Sequence, residues 1–214
     1  MAQYAMVIDL RKCLGCHSCA LACKAQWQVP AAESRCRLQV HGPGRTPDGL
    51  ALAFQPRMCN HCDNPPCVPV CPVTPLTRRF GKGAEKTSIS VAATWKNPLN
   101  GIVEVDPARC TGCGACVKAC PYEARYLKTG PDDHKTADKC DFCLKLLETG
   151  KEPVCVGNCL ADAMFFGNLA DSESAVYRYL QKGAVRLTAG DGSDPGSNVY
   201  YYGRSQELYM LRNG

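Results

Sequence analysis

No stretch of this chain approaches the run of about 18 apolar residues that reads as a transmembrane helix. Nor does a charged-then-apolar leader open it, since the N-terminus runs straight into strand-like Tyr4-Ala5-Met6-Val7-Ile8-Asp9. The expectation is a protein with no direct membrane span and no signal peptide of its own. It would reach the periplasmic face of a membrane by co-export with a partner, or stay in the cytoplasm. A catalytic triad, a nucleotide-binding loop and an open metal site are all missing, so the isolated chain is not expected to be an enzyme on its own. Charge of either sign is nearly balanced: 25 Lys and Arg against 20 Asp and Glu leave +5. Nothing besides that excess points to nucleic acid.

Cysteine, by contrast, is abundant, with 17 in 214 residues. Sixteen of these fall into four blocks of four: Cys13-Cys16-Cys19-Cys23, Cys59-Cys62-Cys67-Cys71, Cys110-Cys113-Cys116-Cys120 and Cys140-Cys143-Cys155-Cys159. A disulfide framework has no need of cysteine triplets at helical spacing. Zinc sites usually draw on well-separated C-x2-C pairs. A [4Fe–4S] cluster needs four thiolates, and residues 110 to 121 match the C-x2-C-x2-C-x3-C-P run of bacterial ferredoxins in full. The expected cofactors are therefore four [4Fe–4S] clusters, and four in so short a chain suggest a path for electrons.

An oxidised cluster with its four thiolates carries roughly −2, so four would bring the loaded protein to about −3. Arg11, Lys12, Lys24, Arg57, Lys118, Lys139 and Lys145 flank the blocks. They either offset that charge or form a solvated basic face. With 19 glycines and 15 prolines, the chain favours loops around cofactors over long regular elements. Part of its folding free energy would come from ligand–metal bonds, and the cluster-free chain is expected to be unfolded or molten.

The blocks are an internal repeat. Two follow a short strand ending in Asp and then a basic residue: Ala5 to Asp9 with Lys12, and Gly101 to Asp106 with Arg109. Ser18 to Gln28 has helical composition that Val29-Pro30 ends. Ala115 to Cys120 reads as a helical turn stopped by Pro121, and Leu144 to Leu147 as another. Gly15, Gly112 and Gly114 suit positive φ, bringing N–H groups close to cluster sulfur. Asp171 to Lys182 reads as a helix capped by Asp171 or Ser172 and ended by Gly183, with an apolar stripe of Val176, Tyr179 and Leu180. The Tyr-rich segment from Asn198 is read as a docking surface, with a final strand as the alternative. His17 and His61 lie inside cysteine runs, where packing is the expected role and cluster tuning the alternative.

In two-cluster ferredoxins the fourth cysteine of one run serves the other run's cluster, so the blocks should work in pairs. Blocks one with four and two with three are possible, as are one with two and three with four, and composition does not choose. The segments Met6-Val-Ile-Asp-Leu-Arg-Lys-Cys13, Leu21-Ala-Cys-Lys24, Cys59-Asn-His-Cys-Asp-Asn-Pro-Pro-Cys67, Cys110-Thr-Gly-Cys-Gly-Ala-Cys116, Ala119-Cys-Pro-Tyr122 and Lys139-Cys-Asp-Phe-Cys143 go further. Through them the chain resembles, over almost its whole length, the four-cluster iron–sulfur subunits of the molybdopterin (dimethyl sulfoxide reductase) superfamily.

The resemblance implies an α+β, loop-rich fold of two nested ferredoxin-like modules. An outer module would take residues 1–36 plus 123–190, and an inner one residues 37–122 with an insertion at 73–100. Residues 191–214 would form a C-terminal docking tail. It also implies ligand sets of Cys13, Cys16, Cys19 and Cys159; Cys140, Cys143, Cys155 and Cys23; Cys59, Cys62, Cys67 and Cys120; and Cys110, Cys113, Cys116 and Cys71. The implied partners are a large molybdenum or tungsten molybdopterin subunit and a quinone-reactive membrane anchor or soluble carrier. A free-standing polyferredoxin, or an electron-transfer subunit of a soluble hydrogenase, formate dehydrogenase or hydroxylase-type enzyme, is the alternative. Three departures stand out. Leu160 replaces a common Pro. The 73–100 insertion is long, carries Arg78, Arg79, Lys82, Lys86, Lys96 and Trp95, and is read as a partner contact. Cys36 lies outside the blocks and is expected to be a plain thiol.

Overall fold

A computed structural model describes residues 2–81, 86–130 and 132–213; Lys82 lies outside them. The elements run β1 (Tyr4–Asp9), α1 (Ser18–Trp27), β2 (Cys36–Thr46), β3 (Gly49–Met58), β4 (Leu76–Phe80), β5 (Thr87–Val91), β6 (Thr94–Lys96) and β7 (Val103–Val105). They continue with α2 (Ala115–Lys118), β8 (Tyr126–Thr129), β9 (Lys135–Asp138), α3 (Leu144–Leu147), α4 (Val154–Gly157), β10 (Met164–Asn168), α5 (Ala175–Gln181), β11 (Val199–Tyr202) and α6 (Ser205–Asn213). This is an α+β fold of short elements and long connections.

β1 is apolar on both faces, and the fold buries both. Met6 and Ile8 face a core shared with Cys19, Cys23, Cys59, Cys62, Cys140 and Cys155, while Ala5 and Val7 pack with Val176 of α5 and Tyr200. Burial on two sides requires a central strand. β1 pairs antiparallel with β10, Tyr4 opposite Asn168, and parallel with β11, Met6 opposite Val199. The strand before the first cysteine block is thereby joined to the strand after the last. The remaining strands form two-stranded ribbons: β2–β3, β4–β5, β6–β7 and β8–β9.

Several expectations change in detail. The helix after Asp171 starts later, at Ala175, because the Ser174 hydroxyl accepts from Tyr177 N–H at 3.1 Å and caps it. Gly183, at φ +90°, does end it. The Tyr-rich segment takes its strand alternative: Tyr200 and Tyr201 are only 6% and 4% exposed within the β1 sheet. The residues before it are also tied in, since Asn198 Nδ2 donates to His61 O and Asp63 Oδ1, each at 2.9 Å. A segment so bonded is not a free docking tail. In the insertion, Trp95 is 3% exposed, packs with Phe80 and Val91, and lies under the Arg78 guanidinium. Its ring is a small core, not a contact surface.

Candidate metal centres

The cysteine runs enter through repeated turns. After β1, Arg11 N–H donates to Asp9 Oδ1 and Cys13 N–H to Asp9 O; after β7, Ala108 N–H donates to Asp106 Oδ1 and Cys110 N–H to Asp106 O. The Asp side chain substitutes for a backbone acceptor and turns the chain sharply off the strand. In every block the residue before the second cysteine is left-handed: Gly15 at φ +69°, His61 at +44°, Gly112 at +67° and Phe142 at +53°. Gly15 is needed for space as well, because a Cβ there would lie 2.6 Å from the Phe54 ring.

Two of those positions hold large rings in a strained conformation, and each ring is held from outside. His61 and Phe142 are fully buried and stack with centroids 3.9 Å apart. Val103 N–H donates to His61 Nδ1 at 2.9 Å. Burial, followed by the nearby charges of Lys139, Arg125 and Lys96, keeps the imidazole pKa well below its ordinary value. His61 therefore packs blocks two and four together as a neutral ring. His17 is exposed and left-handed, just before α1.

The third and fourth cysteines of every block are four residues apart: 19/23, 67/71, 116/120 and 155/159. That is about one helical turn, or roughly 6 Å of rise, so one turn presents two sulfurs to two different neighbourhoods. α1 packs on α4, bringing two such pairs together. One small cavity is lined by Cys13, Cys16, Cys19 and Cys159, and another by Cys71, Cys110, Cys113 and Cys116.

Other cysteines act on one another across blocks. Burial, then the sulfurs of Cys59, Cys67 and Cys120, push Cys62 up to about 12. Burial first and Cys143 next push Cys23 up to about 12. Cys140 rises well above a free thiol through burial and then Cys23 and Cys155. All seventeen cysteines are free thiols.

The donor chemistry fits [4Fe–4S] groups. Each quartet supplies four thiols, and N–H groups already point at several sulfurs. Ala124 N–H lies 3.4 Å from Cys120 Sγ, Ala163 N–H 3.3 Å from Cys159, Ala137 N–H 3.3 Å from Cys110, and Trp27 Nε1–H 3.3 Å from Cys143. Such donors stabilise sulfur charge and help set cluster potential. Among the described residues, no three His, Cys, Asp or Glu side chains converge as a single ion would require.

Not all the flanking basic residues form a solvated face. Lys139 is 3% exposed and donates to the carbonyls of Val103 and Cys140, whereas Arg11 pairs with Asp9 at 2.7 Å at the surface. Sequence reasoning overlooked Arg125, which is buried against Cys67 Sγ at 3.0 Å. It also overlooked Arg35, bidentate to Asp138 beside the fourth block. Aligning the residues after Cys120 with those after Cys159 would have exposed Arg125, because Met164 stands at the matching place.

Residues 50–169 match the family of 4Fe–4S dicluster domains. A tetrathionate reductase subunit of Salmonella typhimurium is 39% identical, over 94% of this chain and 72% of that protein. The thiosulfate reductase electron transfer subunit of Salmonella typhi is also 39% identical, over 86% and 91%. A polysulfide reductase polypeptide of Wolinella succinogenes is 35% identical, over 90% and 91%. The protein is thus a 4Fe–4S dicluster protein by class. More narrowly, it belongs to the iron–sulfur electron-transfer subunits of the molybdopterin oxidoreductase superfamily.

Proposed function

We propose that this chain relays single electrons through four [4Fe–4S] clusters between a molybdopterin catalytic subunit holding molybdenum or tungsten and a quinone-linked membrane subunit or soluble carrier. The chain itself turns over no substrate. Its ligand sets are Cys13, Cys16, Cys19 and Cys159; Cys23, Cys140, Cys143 and Cys155; Cys59, Cys62, Cys67 and Cys120; and Cys71, Cys110, Cys113 and Cys116. A cluster held in each would supply the one-electron chemistry. The two nested modules follow from these sets and draw support from the β1–β10 pairing, which closes the outer module.

The observation that carries the reading is the pattern of exposure. Cys16 and Cys113 are exposed, while the second quartet is largely buried and the third has only Cys120 partly open. The sulfur of Cys19 acts on Cys155, the His61–Phe142 stack joins blocks two and four, and the 67/71 and 116/120 turns join the last two sets. In this reading the quartets would form a line with both ends at the surface, which suits a relay between two partners. Leu14 and Leu160, 66% and 77% exposed, flank the Cys16 end and suit burial against one of them. No helix among the described residues is long and apolar enough to cross a membrane. In this reading the large subunit with which the chain travels sets the side of the membrane.

Anaerobic purification of the native protein tests the proposal. A co-purifying large subunit with molybdenum or tungsten, and about sixteen irons per copy of this chain, are expected. A monomer without either metal would sink the relay reading; iron well below that count would sink the four-cluster assignment.

A further inference from the structure

Arg125 lies five residues after Cys120 and is 5% exposed. Its Nη2 donates to Cys67 Sγ at 3.0 Å and to Thr94 Oγ1 at 3.2 Å. Its Nε and Nη1 are buried with no hydrogen-bond partner. Cys67 belongs to the third ligand set, and Cys116, whose sulfur also faces this guanidinium, belongs to the fourth. The cation is therefore lodged between two quartets. An ion buried with unpaired donors is costly unless negative charge surrounds it, and eight thiolates with their clusters would supply that charge.

The outer module has no cation at the matching place. The repeat is close enough to compare: Ala124 N–H approaches Cys120 Sγ at 3.4 Å, and Ala163 N–H approaches Cys159 Sγ at 3.3 Å. The next residue is Arg125 in one case and Met164 in the other. Met164 is 3% exposed and lines the cavity formed by Cys13, Cys16, Cys19 and Cys159. Arg35, beside the fourth block, is offset by the carboxylates of Asp138 and Asp141 at 2.6 and 3.7 Å. The other buried cation near Cys67, Lys139, is committed to two backbone carbonyls.

We propose that Arg125 is a positioning residue that sets potential. Its fixed charge raises the reduction potentials of the two clusters in the inner module, creating a step along the relay that the outer module lacks. This rests on the ligand sets proposed above. Each reduction adds one electron, from the partner in the complex or from the titrant in a test, and needs no proton. The added negative charge would be shared with ligand sulfurs, of which Cys67 Sγ lies 3.0 Å from the buried guanidinium, where screening by water is weak.

The test is an electron-paramagnetic-resonance redox titration of the loaded complex carrying Arg125→Met, which copies the outer module. Two of the four potentials are expected to fall, each by at least a tenfold change in the reduced-to-oxidised ratio, about 59 mV for one electron. The other two should stay. Arg125→Lys keeps the charge and should lose less than half of that shift, whereas a purely structural role would make Lys and Met alike. If Arg125→Met does not assemble, Arg125→Gln gives the same reading. Four unshifted potentials overturn the role of Arg125 and leave the cluster count standing. Fewer than four cluster signals in the unaltered protein overturn the ligand sets instead.

Discussion

At the scale of single residues, the seventeenth cysteine is the clearest test of how strictly the ligand sets are closed. Cys36 is 4% exposed at the start of β2, opposite Met58. It lies in the same buried cluster as Cys19, and the interaction of the two thiols, ahead of burial, draws the pKa of Cys19 down and pushes that of Cys36 up. Every quartet is complete without it. Cys36→Ser retains a donor and is expected to keep all four clusters, with stability changed by about 1–2 kcal/mol. Iron analysis and a denaturation curve check this, and loss of four irons would make Cys36 a ligand. The sequence marked Cys36 as an outlier by spacing alone, but its contact with Cys19 depends on β2 crossing block one. Arg125 was overlooked for a related reason: the repeat marks its place, but a buried Arg and a surface Arg look alike until the enclosing sulfurs are placed.

At the scale of elements, the four-residue step between third and fourth cysteines would let two of the proposed sets share one turn. Cys120→Ser should therefore disturb the cluster of Cys59, Cys62 and Cys67 and spare that of Cys110, Cys113 and Cys116, despite its nearness to the latter in sequence. Spectroscopic counting should show one cluster lost or converted to a three-iron form, and damage to the Cys110 set instead would mean the turns do not cross over. β1, α1 and α3 were legible because a short run of strand-favouring residues and helix stops are written locally. α1 ends at Trp27 with Gln28 left-handed, just ahead of Val29-Pro30. The β2–β3 ribbon was missed, although Cys36-Arg37-Leu38-Gln39-Val40-His41 alternates with period two. Its signal was diluted by Gly42, Pro43 and Gly44 at a bulge, where the register slips between His41 and Gly44. The late start of α5 was missed because Asp171, Ser172 and Ser174 are all competent caps, and only packing selects Ser174.

At the scale of the whole molecule, the cysteines are the core as much as they are the site. Cys19, Cys23, Cys59, Cys62, Cys140 and Cys155 sit in the same buried cluster as Met6, Ile8 and Phe142. Burial raises the pKa of most of these thiols, so gathering them as thiolates is unfavourable until a metal offsets the charge. Anaerobic removal of iron by a chelator is expected to abolish near-ultraviolet circular dichroism and open the chain to proteolysis. A cluster-free protein that kept its native spectrum and protease resistance would show that the polypeptide folds unaided.

The sequence by itself set out the cysteine blocks and the kind of group they suit, because residue type and spacing are local properties of a chain. It also marked β1 as a strand, while its central place between β10 and β11 came from the fold. The tertiary structure brought Cys159 to Cys13, Cys16 and Cys19, up to 146 residues away, and Cys71 to Cys110, Cys113 and Cys116, two sets that the resemblance implied and composition left open. It also decided that the terminal tyrosines complete a sheet and that one arginine lies between two quartets. Those outcomes depend on which surfaces exclude water together, which no single stretch of the chain encodes.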